Sequence, residues 1–318
     1  MIKPIYVLLV FVLVVMGCQN EDKVASEVNK IKLDVKVSRF DEEFAKASPA
    51  DIPSLRKDYP YLFPAPDSIW VAKLKDSLQI ELRREVLLEF KDFDKELVDI
   101  ELLFKYIKYY FPKFSPPRII TVTNDVDYDN RIILTDSLLL VGLDNYLGEG
   151  HKYYQGMQKY IAEGRKREFM VSDIANAFAN KIVPKPEGRT FLAQIIYYGK
   201  ILYLKDRIMP FQSDAQKINY SEDELAWAQV NEEPMWRHFI ERELLYSTDN
   251  KLALRFLDPA PFSKFGLELD NESPGRLGRY VGWQIVRSFM DNNEVSLQQL
   301  INFSAEEIFK KSNYKPNK

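Results

Sequence analysis

Two histidines, His151 and His238, and one cysteine, Cys18, bound the chemistry open to this 318-residue chain. A helical zinc protease needs two histidines four residues apart on one face, with a glutamate beside the first as general base. His238-Phe239-Ile240-Glu241-Arg242 sets a histidine and a glutamate on one face, but Arg242 stands where the second histidine belongs. The segment therefore reads as a solvated helix face with an i, i+3 polar pair. A Ser-His-Asp triad would have to rest on His151 or His238 without any local signature, and the chain has neither a Gly-rich phosphate loop nor a Gly-x-Ser-x-Gly elbow. For a hydrolase that works with carboxylates, Glu232, Glu233 and Asp270 are the candidates.

Asp125-Val126-Asp127-Tyr128-Asp129-Asn130 spaces three carboxylates two apart, as calcium loops do, with Ile132 and Asp136 at the places of the apolar residue and the last ligand. The flanks read as strands rather than helices, and Asn130 stands where the sharp turn prefers glycine. A polar hairpin loop between strands is the preferred reading, with bound calcium as the alternative.

Cys18 has a different role. Lys3 is followed by twelve apolar or aromatic residues from Ile5 to Met16 and then Gly17-Cys18, the plan of a secretory signal too short to span a bilayer comfortably. Val15-Met16-Gly17-Cys18 fits a lipobox, so cleavage would leave Cys18 at the N-terminus to carry acyl chains; an uncleaved anchor or an ordinary signal peptide is the alternative. With no second cysteine there is no disulfide framework, and stability must come from a core. The material is present, since 46% of residues are hydrophobic, with 18 Tyr and 20 Phe. A net charge of -3 without a basic stripe argues against nucleic acid.

The elements that must position these residues are mostly helical. Residues 19–35 are polar and read as a tether. Ile69, Trp70, Ala72, Leu74, Leu78, Ile80 and Leu82 recur at helical steps, and a second helix spans Asp94 to Phe111. Pro112, Pro116 and Pro117 end that region. Arg118 to Thr123, Arg131 to Thr135 and Ser137 to Leu143 read as strands. Beyond Gly150 helix follows helix, with Ser172, Thr190 and Asn231 as caps, the last opening a helix to Tyr246. Ser221 with Glu224, Ser296 with Gln299 and Ser304 with Glu307 have capping-box spacing.

Two regions stand out as places to bind something. The helix Thr190 to Leu204 is apolar on nearly every side and should be buried. Lys200 within it would lose its hydration unless a carboxylate meets it, so a partner acid is expected, the alternative being a lysine snorkelling from the rim. Asp249 to Arg287 is rich in rings, charges and proline, including Arg255, Phe262, Lys264, Asp270 and Arg276, and reads either as a binding surface or as a loop packed on its own core. The helix that follows, Leu277 to Met290, carries Tyr280, Trp283 and Arg287, the last available for an acid.

The signal through Cys18, Asp144-Asn145-Tyr146-Leu147-Gly148, Ile196-Tyr197-Tyr198-Gly199-Lys200-Ile201-Leu202-Tyr203, Trp227-Ala228 with Asn231-Glu232, Ala260-Pro261-Phe262-Ser263-Lys264-Phe265, and Ser273-Pro274-Gly275-Arg276 leading to Gly282-Trp283-Gln284-Ile285-Val286 resemble the GldB family of gliding-motility lipoproteins from Bacteroidetes. The resemblance runs nearly to the end of the chain, at Tyr314-Lys315-Pro316. It implies an envelope protein needed for gliding, working beside machinery that overlaps with type IX secretion. A weaker resemblance is to predicted zinc peptidases whose buried helix carries His-Glu-x-x-His. On that comparison Tyr197-Tyr198-Gly199-Lys200-Ile201 stands at the metal motif, with every ligand and catalytic position changed, which implies a zincin-like scaffold without its zinc.

The expectation is an α+β, mostly helical fold with a small sheet. Residues 1–17 form the signal, 18–35 the lipidated cysteine and tether, and 36–318 a single domain. The expected function is a non-catalytic, lipid-anchored interaction protein without a cofactor, facing the periplasm from an undecided membrane, bound to other gliding or secretion envelope proteins and not to nucleic acid. An envelope hydrolase, or a glycan or lipid carrier with a pocket of Tyr197, Tyr198, Tyr203 and Trp283, is the alternative. The candidate cleft lies between the Thr190 helix and residues 255–287 and draws on Tyr197, Tyr198, Lys200, Tyr203, Asn231, Glu232, Arg255, Phe262, Lys264, Asp270, Arg276, Trp283 and Arg287.

Overall fold

A computed structural model describes residues 23–266 and 270–317, so the signal and Cys18 lie outside the described residues. Four short strands make a mixed sheet: β1 (Val37–Ser38), β2 (Arg118–Val122), β3 (Ile132–Leu134) and β4 (Leu138–Gly142), in the order β1-β2-β4-β3. β1 and β4 run parallel to β2, and β3 runs antiparallel to β4. Strand side chains alternate faces, and here both faces are covered. Ile119, Leu139 and Val141 enter the main core, whereas Ile120, Val122, Leu138 and Leu140 meet a smaller cluster of Phe40, Phe44, Tyr59 and Phe63.

Helices surround the sheet. In the N-terminal part they are α1 (residues 23–30), α2 (Phe40–Lys46), α3 (Ile52–Asp58), α4 (Asp67–Lys75), α5 (Ser77–Glu89) and α6 (Asp94–Tyr110). The periodic stretch from Asp67 is two helices, broken at Asp76, whose carboxylate accepts from the Gln79 amide. The tether reading is corrected over part of its length: residues 23–30 are helical, and Val28 is completely buried in the main core. One buried valine among polar neighbours is too weak a pattern to see in a sequence.

The C-terminal part holds α7 (Lys159–Ala162), α8 (Met170–Ile182), α9 (Phe191–Ile208), α10 (Asp214–Ile218), α11 (Glu222–Val230), α12 (Glu232–Glu241), α13 (Lys251–Phe256), α14 (Leu277–Asn292), α15 (Leu297–Asn302) and α16 (Ala305–Ser312). As its composition demands, α9 is buried, and α14 crosses it at closest approach through Gly199 and Gly282. A Cβ on Gly199 would run into the Gly282 carbonyl, and one on Gly282 into that of Ile195. Thr190 caps α9, and the boxes at Ser221, Ser296 and Ser304 form as their spacing requires. Two caps differ. Ser172 is the third residue of α8 and lies in the core; Asn231 turns its amide back to the Trp227 carbonyl, and α12 ends at Glu241.

The acidic segment 123–131 is not a hairpin loop. It carries the chain from β2 past β4 to β3, and the hairpin is the following turn, between β3 and β4. Asp125 and Val126 take left-handed backbone, a strained conformation for a β-branched residue. The buried Asp144 carboxylate accepts from the amides of Asn124 at 3.0 Å and Val126 at 2.6 Å and so holds the strain in place. Burial raises that carboxyl to about 6, against the pull of these amides.

Candidate functional site

A concavity of about 520 Å³ lies beside α9, between its N-terminal half, residues 184–188 and residues 301–307. Leu192, Ala193 and Ile196 give it an apolar wall, and Tyr197 and Lys200 project into it from one face of the helix, three residues apart. The Tyr197 hydroxyl accepts from Lys185 Nζ at 3.0 Å and lies 3.1 Å from Asn180 Oδ1. Lys200 Nζ donates to the carbonyls of Ile301 at 3.0 Å and Phe303 at 2.6 Å. The acid expected for Lys200 is therefore replaced by backbone oxygens at the end of α15, which have no partners within their helix and suit a cation. Burial pulls the ammonium down to about 8.

One and a half turns along α9, Lys205 is only 2% exposed and donates a hydrogen bond to Ser172 Oγ at 2.7 Å. Ser172 in turn donates to the Gln216 carbonyl at 2.7 Å. Asp173 beside it receives Arg131 through two bonds of 2.7 and 3.0 Å, Tyr146 Oη at 2.9 Å and Asn219 Nδ2 at 3.1 Å. Burial, partly offset by Asp173, pulls Lys205 down to about 7. Burial alone would raise the Asp173 carboxyl, yet Arg131 overrides it and holds the group below its ordinary range. A serine beside a lysine of lowered basicity is a nucleophile and its base in form. Ser172 has no exposure and its proton is committed, so the pair ties α8, α9 and α10 together instead.

The remaining candidates fall in other places. Arg287 meets the acids foreseen for it, Asp206 at 2.7 Å and Asp214 at 2.8 Å, and Trp283 Nε1 joins Asp206 at 2.8 Å from a fully buried ring. Tyr198 lies under the Arg279 guanidinium, 4.1 Å from its ring centre, and Tyr203 is half-buried. Of Tyr197, Tyr198, Tyr203 and Trp283 only Tyr197 lines the cavity beside α9, and α9 and α14 meet backbone to backbone at Gly199 and Gly282.

The stretch after α13 packs on its own neighbours. Arg255 Nε donates to the Lys264 carbonyl at 2.8 Å, Ser263 pairs with Pro274 and Ser273, and Arg276 reaches the Asn219 carbonyl at 2.8 Å; Phe262 is half-buried. Asn231 and Asp270 line a smaller hollow of about 220 Å³ with Trp227, His238 and Phe265. The solvated-face reading of His238 is corrected: its ring meets Phe239, Phe256 and Phe265, and Nε2 is buried without a partner among the described residues, as is Asp270 Oδ1.

The three carboxylates considered for hydrolysis are dispersed. Glu232 is buried under Tyr280, Tyr314 and Asn317, and Glu233 faces Arg237 on the surface. Asp125 is taken by Lys73 and Gln79, Asp127 by Asn130, and among the described residues no three His, Cys, Asp or Glu converge.

Sequence reasoning found Tyr197 and Lys200 and missed Lys185, Ser172, Asp173 and Lys205. A lysine at the end of the most apolar helix and an aspartate in an Ala-rich one were the available signals.

The fold is thus a mostly helical α+β domain with a small mixed sheet and a cavity on its central helix, and no helix among the described residues is long and apolar enough to cross a membrane. The chain matches the family model of the gliding motility protein GldB over residues 21–316, and it belongs to that family, whose members serve gliding from the cell envelope. No curated protein and no solved structure matches it.

Proposed function

We propose that the protein is held on an envelope membrane by lipids on Cys18 and is a non-catalytic interaction component of the gliding machinery, with the cavity on α9 as its binding site. The carrying observation is the makeup of that cavity: Tyr197 and Lys200 project into it from one face of α9, and Lys200 is bound to carbonyls rather than to an acid. The dispersal of Glu232, Glu233 and Asp270 disfavours hydrolysis by carboxylates.

A photo-cross-linker at exposed Glu187 on the cavity lining, compared with one at Lys46, tests the binding site in intact cells. One envelope protein should be joined from position 187 and not from 46; identical products from both, or none, defeat the reading. Cys18→Ser should shift the protein out of the membrane fraction, and retention of a normally processed product would sink the anchor. Asp270→Asn and Glu233→Gln should leave gliding intact, whereas its loss in both stable variants would restore the hydrolase.

A further inference from the structure

The chemistry of the α9 cavity says what it would hold. Its two cations lack acids: among the described residues neither Lys185 nor Lys200 meets a carboxylate, and they bind a phenol and two carbonyls instead. An ammonium has three donors, so Lys200 keeps one beyond its two carbonyls, and Lys185 keeps two beyond Tyr197. The acids at the rim are mostly occupied elsewhere. Glu307 accepts from Ser304 in the cap of α16, Glu306 is 3.7 Å from Lys310, and Glu187 is exposed. An anion entering between the lysines would satisfy the spare donors of both, of which that on Lys200 is already partly desolvated.

The kind of anion is narrowed by what the cavity does not offer. A phosphate is usually gripped by an arginine fork or by free amides at a helix start. The α9 start is closed to it, because the amides of Phe191, Leu192 and Ala193 bond Ser247 O, Leu245 O and Thr190 Oγ. At the α16 start the Glu307 amide bonds Ser304 Oγ, and the carboxylates of Glu306 and Glu307 oppose a phosphate there. Among the described residues no arginine lines the cavity. Beside the lysines stand Tyr197, the apolar wall of Leu192, Ala193 and Ile196 and the prolines Pro184 and Pro186. Glu187, Glu306 and Glu307 also line it, and they repel a dianion more than a single charge. We infer that the cavity receives the C-terminal end of a partner polypeptide, an apolar last residue lying against Leu192 and Ile196 with its carboxylate between Lys185 and Lys200. The inference rests on the interaction role proposed above and names the chemistry of the partner.

The test is calorimetric titration of the full lipidated chain in detergent with N-acetyl-leucyl-leucine as the free acid and as its amide. The acid should bind about tenfold or more tightly than the amide, the worth of a charge-assisted bond. Lys185→Met, a surface change that leaves the fold in place, should remove most of that preference, and Lys200→Met the rest. Inorganic phosphate at equal concentration should not compete. Equal affinity for acid and amide, no binding of the acid at about 10 mM, or displacement by phosphate would each overturn the inference. A partner still cross-linked from position 187 in that event keeps the interaction role and discards only the carboxylate; the absence of any partner removes the role itself.

Discussion

Lys200 and Lys205 lie on the same helix, five residues apart, and they meet opposite surroundings. Around Lys205, α8 brings Ser172 and Asp173, α10 leads to Asn219 in left-handed backbone, and Arg131 closes the group, so every charge is answered and solvent is excluded. Around Lys200 the neighbours are the C-terminal end of α15 and an open cavity, and among the described residues the charge is answered by carbonyls. Both ammoniums lose basicity for the same reason, burial. A complete polar group in a dry interior locks helices together, while an incomplete one beside a cavity is left with donors to share.

The contrast can be broken hardest at Asp173. Asp173→Ala leaves Arg131 and Lys205 buried without their carboxylate and should cost about 3–5 kcal/mol in urea unfolding; a change near zero would show that the group is no lock. Gly199→Val next drives a branched side chain into the Gly282 backbone and should cost about 1–3 kcal/mol or more. Unchanged thermal stability would mean that α9 and α14 can part freely.

The two lysines predict a common dependence on pH but different sizes. Each has a folded pKa below its unfolded one, so above the lowered value the unfolded chain binds a proton that the folded chain lacks. Stability from this source is therefore reduced below about 7 for Lys205 and about 8 for Lys200, and rises with pH toward the ordinary lysine range. Lys205→Met should flatten the gain measured by urea unfolding between neutral and alkaline pH, and Lys200→Met should flatten it less, because solvent already reaches that side chain. Equal slopes in the two variants would erase the distinction. Smallest of all, Lys185→Met should change stability by no more than about 0.5 kcal/mol. A larger loss would make the cavity rim part of the lock.

Periodicity and end chemistry are local properties, and they made much of this fold legible. The apolar steps of Asp94 to Phe111, the β-branched runs of β2, β3 and β4, the Thr190 cap and the capping boxes at Ser221, Ser296 and Ser304 each need only a few adjacent residues, and each is where it was expected. The family, too, could be recognised from short motifs spread along the chain.

Within the site the division is sharper. That α9 would be buried followed from its own residues, because an all-apolar helix has no face to give to water. Which group answers Lys200 did not follow, since Ile301 and Phe303 lie about a hundred residues away and offer only backbone, which carries no residue type to read. His238 was misplaced because the aromatic rings of α13 and of Phe265 shield it. β1 was missed because its two residues exist as a strand only through pairing with β2. The sequence by itself determined the long helices from Asp94 and Thr190, the caps at Thr190, Ser221, Ser296 and Ser304, the buried centre and the family. Only the tertiary structure decided which cations are paired, where the cavity opens and how the acidic segment crosses the sheet, because those depend on contacts between residues far apart in the chain, and the energy of a contact belongs to both partners.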